Sequence, residues 1–302
     1  MLRTAALALA VGLLVAGCGG SSGAAQEEPE DGTLEALWRA PGDDVAIVPG
    51  TADFGPGRVR LTFLVIDDEG RVVTRPTARV WVARGLEQEP FAETTARSEQ
   101  IGVEGSEEAD AEAIFVTHLD LAEPGTYWVL AEPEGGREIQ AIGNVVVVDD
   151  PAAPAVGEPA VASETPTIAS TGGDFEALTT QDPPDRELLE HSIADSLEAK
   201  VPFVVTFATP RYCQTRTCGP VVDVVDAVRE QYGSQGVRFI HVEIYEDNDP
   251  AKETNEWVRE WNLPSEPFTF VVGADGLIKE KFEGTVSVRE LAEAVEQHLV
   301  DA

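Results

Sequence analysis

Positive charge is scarce in this chain of 302 residues. Lys and Arg number 21 against 55 Asp and Glu, which gives a formal net charge of -34, and the lysines are only Lys200, Lys252, Lys279 and Lys281. A surface this acidic repels phosphate backbones and anionic headgroups, so nucleic acid is excluded as a partner. Copies of the chain repel one another for the same reason, and a monomer is expected. Long apolar runs are also missing. The longest, residues 5–16, falls short of the roughly 20 residues that a membrane-spanning helix requires. The glycine-rich stretches lack the strand-to-helix context of a phosphate loop. Histidines number 4, and none forms a group with metal-ligand spacing, so neither a metal nor a cofactor is expected. Cysteine is rare too, with 3 in all at Cys18, Cys213 and Cys218.

What is present begins with an export signal. Arg3 precedes the apolar run, and Gly17 and Cys18 follow it, the layout of a secretory signal. The tetrapeptide "VAGC" at residues 15–18 resembles the lipobox of bacterial lipoproteins. That resemblance implies a signal peptide over 1–17, cleavage after Gly17 and lipidation of Cys18. The alternative is an ordinary signal whose Cys18 is discarded. Residues 18–33 are Gly-, Ser- and Glu-rich, as a flexible tether would be. The remainder is expected on the extracytoplasmic face of a cell membrane, held by the lipid anchor, where disulfides persist.

Two globular segments follow, separated by a Pro- and Ala-rich linker over 149–174. In the first, 34–148, short alternating runs at 58–67, 78–85, 113–121, 125–133 and 144–150 are punctuated by turn residues, with no helical period. This predicts an all-β antiparallel sandwich. The stretch "LAEPGTYWVLA" around Tyr127 resembles the corner strand of immunoglobulin-like domains. His118 reads as a packed or surface residue, and the segment as a binding or spacer module without chemistry of its own.

The second segment, 175–302, alternates helix and strand. Leu189, Ile193 and Leu197 make a helical stripe over 182–200, and "PFVVTFA" is a continuous apolar run suited to a central buried strand. Val221, Val224, Val225 and Val228 mark one face of a helix ending at Gly233. Strands are predicted at 237–245, 268–274 and 277–284, with a short helix near 255–261. Ser287 and Glu290 form a capping box before the last helix. The order is that of an α/β fold with a mixed sheet.

With "CGP" opening a helix after a buried strand and "SEPFTF" opening a later one, this segment resembles the thioredoxin family. The resemblance implies that Cys218 is the attacking cysteine and that Pro267 is the cis-proline facing it. Val221 stands where the family's resolving cysteine would be, and Thr206 lies where a buried acid is common. Cys213, five residues upstream of Cys218, is the substitute resolving residue.

Four readings of "YCQTRTCGPV" remain open. Five helical steps place two side chains about 140° apart, so the cysteines cannot bond within one helix. Pro220 suits a first helical turn, which puts Cys218 at the helix start and Cys213 in a loop that can fold back onto it. A redox couple with Cys218 acidified by the helix end would pass its disulfide on readily, helped by Arg211 or Arg216. A structural staple over so short a loop would contribute only about 2 kcal/mol. Two thiolates alone could hold Cu(I), but His241 and His298 offer no obvious third ligand. Finally, "TPRYCQTRTC" resembles the Q-type peroxiredoxins, with Cys213 peroxidatic and Cys218 resolving, although Pro210 replaces that family's threonine and Thr209 is one step early. The expectation is a lipid-anchored thiol–disulfide oxidoreductase acting on protein clients that carry thiols or disulfides, served by a membrane reductant or oxidant. The alternatives are a non-enzymatic envelope binding lipoprotein with a structural disulfide, and a peroxidase.

Overall fold

The computed structural model describes residues 29–106, 109, 111–135, 139–213 and 216–300. The expected signal peptide, Cys18 and most of the tether lie outside them. After a short helix α1 (Leu34–Trp38), capped by Thr33, come seven strands: β1 (Asp43–Pro49), β2 (Gly57–Asp67), β3 (Thr77–Ala83), β4 (Ala92–Gln100), β5 (Ala113–Leu121), β6 (Gly125–Pro133) and β7 (Ile139–Val147).

These strands form a closed barrel in the order β1-β2-β5-β4-β3-β6-β7. The structure therefore corrects the expected immunoglobulin-like sandwich. Closure is made by β1, which pairs antiparallel to β2 and parallel to β7, with Val45 opposite Ala141. The other element absent from the sequence reading is β4, "AETTARSEQ", whose only fully buried residue is Ala96. It is a strand because β3 and β5 supply ladder partners on both sides, not because of an apolar alternation. Barrel closure leaves no sheet edge exposed to other chains. Inside, Leu61, Phe63 and Val65 of β2 meet Phe115, Val80 and Val129. Tyr127 does lock a corner, its hydroxyl donating to the Glu123 carbonyl at 2.7 Å.

The other half contains α2 (Ile193–Glu198), β8 (Phe203–Phe207), α3 (Cys218–Tyr232), β9 (Arg238–Val242), α4 (Glu256–Glu260), β10 (Phe268–Val272), β11 (Ile278–Glu283) and α5 (Val288–Val295). The predicted single helix over 182–200 is broken. Only a short 3-10 turn precedes Ser192, whose hydroxyl accepts the Asp195 N–H and starts α2 afresh. The sheet order is β11-β10-β8-β9, with β8 and β9 parallel and the other pairs antiparallel. The crossover helix α3 buries Val221, Val224, Val225 and Val228 against it. All five residues of β8 are buried, as a central strand covered on both faces requires.

The two halves are not set apart. Arg60 of β2 inserts into the α/β half, where its guanidinium meets the Glu290 carboxylate at 2.8 and 3.0 Å and donates to the Thr285 carbonyl at 2.8 Å. Glu283 accepts the Ala52 and Asp53 N–H groups at 2.8 Å each. The stretch 149–173 has no strand or helix of its own, yet Ala153, Ser163, Thr165 and Thr167 are buried, and Ser163 accepts the Trp261 indole N–H at 3.1 Å.

Candidate functional site: a dithiol beside a carboxylate

Three elements converge on the cysteines. The β8–α3 loop carries Cys213, the first turn of α3 carries Cys218, and the lead-in to β10 carries Glu266 and Pro267, joined by a cis peptide bond. The ligating atoms of Cys213, Cys218 and Glu266 all lie within 4.8 Å of one another. Pro267 is buried and Glu266 half-buried at the same spot. The structure thus brings Cys213 and Cys218 together, adds Glu266, and places the cis Pro267 next to Glu266 in the chain. No motif marks Glu266; its only signal is its place directly before Pro267.

The two cysteines differ in exposure. Cys218 is fully buried, whereas Cys213 is partly exposed. The first amide of α3, the Cys218 N–H, points at the Cys213 sulfur at 3.4 Å. The positive end of the helix therefore serves Cys213 rather than Cys218. The hydrogen bond to Cys213 and then burial push the Cys218 thiol well above its ordinary range, against the opposing pull of the Thr209 N–H. A helix end contributes about 0.3–1 kcal/mol, less than one pKa unit, and so does not offset the hydrogen bond to Cys213 and the burial acting together.

Burial, helped by the charges of Cys213 and Glu243, raises Glu266 from its ordinary 4.5 to about 7. A raised carboxylate favours the fold while protonated. Its contribution is complete below pH 4.5 and is lost as pH rises through about 7. Glu266→Gln is expected to abolish that loss, so that urea unfolding in metal-free buffer finds the variant gaining on the parent between those two pH values. Parallel stability curves would contradict the assigned burial.

The remaining candidates lie elsewhere or are already engaged. Thr206 pairs with Thr269, hydroxyl to hydroxyl at 2.9 Å, and β8, "FVVTF", carries no acid. His241 is buried with its ring nitrogens at 3.0 Å from the Ala208 carbonyl and 3.4 Å from the Thr179 hydroxyl. His298 lies 4.0 Å from Glu280, and His118 sits on the barrel strand β5; neither belongs to the cluster. Glu243 is 5% exposed; one oxygen accepts from the Thr180 N–H and hydroxyl, and the other is buried without a hydrogen-bond partner.

The barrel reaches this site. Val103, in the β4–β5 loop, packs against the cluster that holds both cysteines. Gly102 has φ +75°, and a Cβ there would meet the Pro220 Cβ at 3.0 Å, so glycine permits the close approach to the "CGP" turn. Beside it lies a cleft of about 820 Å³, lined by Gly105 of the barrel and by Pro210, Arg211 and Gly219 next to the cysteines. Asp185, which also lines it, is raised to about 7 by burial and its hydrogen bond with Asp226.

No family model and no curated protein sequence matches the chain. Among solved structures, a thiol:disulfide interchange protein of the thioredoxin family from Chlorobium tepidum TLS matches at 15% identity and a TM-score of 0.32, over 50% of this chain and 99% of its own. No helix among the described residues is long and apolar enough to cross a membrane.

Proposed function

We propose that the chain is a thiol–disulfide oxidoreductase, lipid-anchored through Cys18 on the extracytoplasmic face, that acts on protein clients. The observation that carries this reading is the sulfur of the partly exposed Cys213 receiving the first N–H of α3, with the buried Cys218 sulfur and the Glu266 carboxylate within 4.8 Å. Cys213 attacks and Cys218 resolves, the reverse of the roles that the family resemblance implies. Glu266, in its carboxylate form, takes the Cys213 proton. The thiolate then bonds to one sulfur of a client disulfide, whose S–S bond breaks and releases a client thiolate that takes up a proton. Cys218 next loses its proton and attacks the Cys213 sulfur, expelling the second client sulfur as a thiol. Two electrons and two protons have passed to the client, and the pair is left as a disulfide.

The elevated Cys218 thiol favours this direction, because a sulfur that holds its proton is a poor leaving group from the disulfide. The contact between barrel loop and "CGP" turn supports a role for the barrel in positioning the client in the adjoining cleft. A membrane partner would restore the dithiol. The reduction potential of the pair, measured in thiol buffers with alkylation trapping, is expected near the roughly -270 mV of thioredoxin. A value below about -300 mV, with no exchange against a client disulfide, would make the bond a structural staple and remove the reading.

The exposure of Cys213 and burial of Cys218 also suit a hydroperoxide as the electrophile, the Q-type order. Thr209 supplies a buried hydroxyl without a partner near the pair, but Pro210 stands at that family's threonine position. Peroxide consumption by the reduced protein, run beside the disulfide assay, separates the two.

A further inference from the structure

Two sulfurs and a carboxylate oxygen gathered within 4.8 Å from three separate chain elements form more than a redox pair. Bond lengths of about 2.3 Å to sulfur and 2.0 Å to oxygen put tetrahedral zinc ligands about 3.5–3.8 Å apart. The 4.8 Å limit that encloses the three atoms exceeds that spacing by only about an ångström, a gap that side-chain rotation closes. A second observation points the same way: Glu243, close enough for its charge to raise Glu266, carries a buried carboxylate oxygen that no donor among the described residues satisfies. A buried polar atom left in this state is costly unless something positive lies close by.

We propose that the reduced Cys213–Cys218 pair, with Glu266 as third ligand and a fourth position open to water, is a binding site for one Zn²⁺ ion that oxidation of the pair abolishes. Binding releases to solvent the protons of both thiols and any proton on Glu266, and leaves the site with one net negative charge. Thiolates exclude Mg²⁺ and Ca²⁺, which take oxygen ligands, and the hard carboxylate favours Zn²⁺ over Cu(I). Disulfide formation removes both sulfur ligands at once. With diamide as oxidant, the two thiolates lose two electrons to its N=N bond, the S–S bond forms, two protons convert the reagent to the hydrazine, and the ion leaves. The site requires only that both cysteines be reducible, and it stands whether or not the pair exchanges with clients.

The test uses the full chain in three states: reduced, diamide-oxidised, and reduced Glu266→Gln. Zn²⁺ is titrated against a chromophoric chelator, with Co²⁺ as a spectroscopic substitute. The reduced protein is expected to take up one equivalent, and its Co²⁺ form to show thiolate-to-cobalt charge transfer with tetrahedral ligand-field bands. The oxidised protein is expected to take up none at that affinity. Glu266→Gln is expected to bind at least about tenfold more weakly. Glu266→Asp should recover part of the affinity, which separates lost ligation from lost folding. Uptake that survives oxidation would belong to the acidic surface and would overturn the site. So would Glu266→Gln binding as tightly as the parent, or no uptake by the reduced chain.

Discussion

Cys213→Ser is expected to lower the rate of client-disulfide reduction at least about a thousandfold, because a serine hydroxyl at neutral pH cannot replace a thiolate nucleophile. The informative comparison is with Cys218→Ser. That variant keeps the partly exposed Cys213 and its N–H donor but has nothing to expel the client, so it should accumulate the mixed disulfide as a stable adduct on non-reducing gels. Cys213→Ser should accumulate none. The reverse result, adducts on Cys213→Ser alone, would show that Cys218 becomes exposed before it reacts and would restore the roles that the sequence resemblance implies. Neither substitution changes the core volume much, since serine approximates cysteine in size, so a folded, inactive Cys213→Ser is the expected control.

Arg60→Ala is expected to destabilise the protein by about 3–5 kcal/mol, the cost of breaking a buried ion pair from one side. The Arg60 and Glu290 side chains are 5% and 8% exposed, so water cannot replace the lost partner. The melting temperature should fall by roughly 10 °C, and urea unfolding would measure the loss directly. Burial pushes Glu290 up, but the Arg60 charge and the hydrogen bonds from Arg60 and Ser287 outweigh it and hold the carboxyl below its ordinary range. A depressed carboxylate stabilises the fold above its unfolded pKa, and that contribution is lost as pH falls through the folded value. The penalty of Arg60→Ala should therefore shrink in acid. Replacing both partners with apolar residues of similar shape, Arg60→Met with Glu290→Leu, should cost far less than the single change. A single-variant loss below about 1 kcal/mol would mean that the barrel and the α/β half are held together by their other contacts, chiefly those of Glu283.

Local signals carried much of the α/β half. Ser287 and Glu290 read as a capping box, and the box is formed. The valine spacing after Cys218 read as one helix face, and those valines are buried. The single helix read over 182–200 failed because Ser192 competes for the backbone as a new cap. In the other half the strands with strong alternation were legible, but β1 and β4 were not. β4 has an almost wholly polar sequence, and it pairs because its neighbours offer a ladder.

By itself, the sequence determined the periods and the stops: strands of alternating residues, helices with caps, a cysteine pair at a helix start and an acidic surface. These depend on neighbours a few residues apart, which a linear chain displays directly. Tertiary structure alone decided that β1 meets β7 and closes a barrel, that Cys218 is buried while Cys213 faces the helix N–H, and that Glu266 stands beside both sulfurs. Barrel closure and the placing of Glu266 depend on contacts between segments distant in the chain; the Cys213 contact spans only five residues, but how that loop folds back is set by the packing around it. Cys218 keeps its proton because the Cys213 sulfur beside it and then exclusion from solvent both disfavour its charge, whereas the helix end offers only a fraction of a compensating charge and directs its first N–H at Cys213.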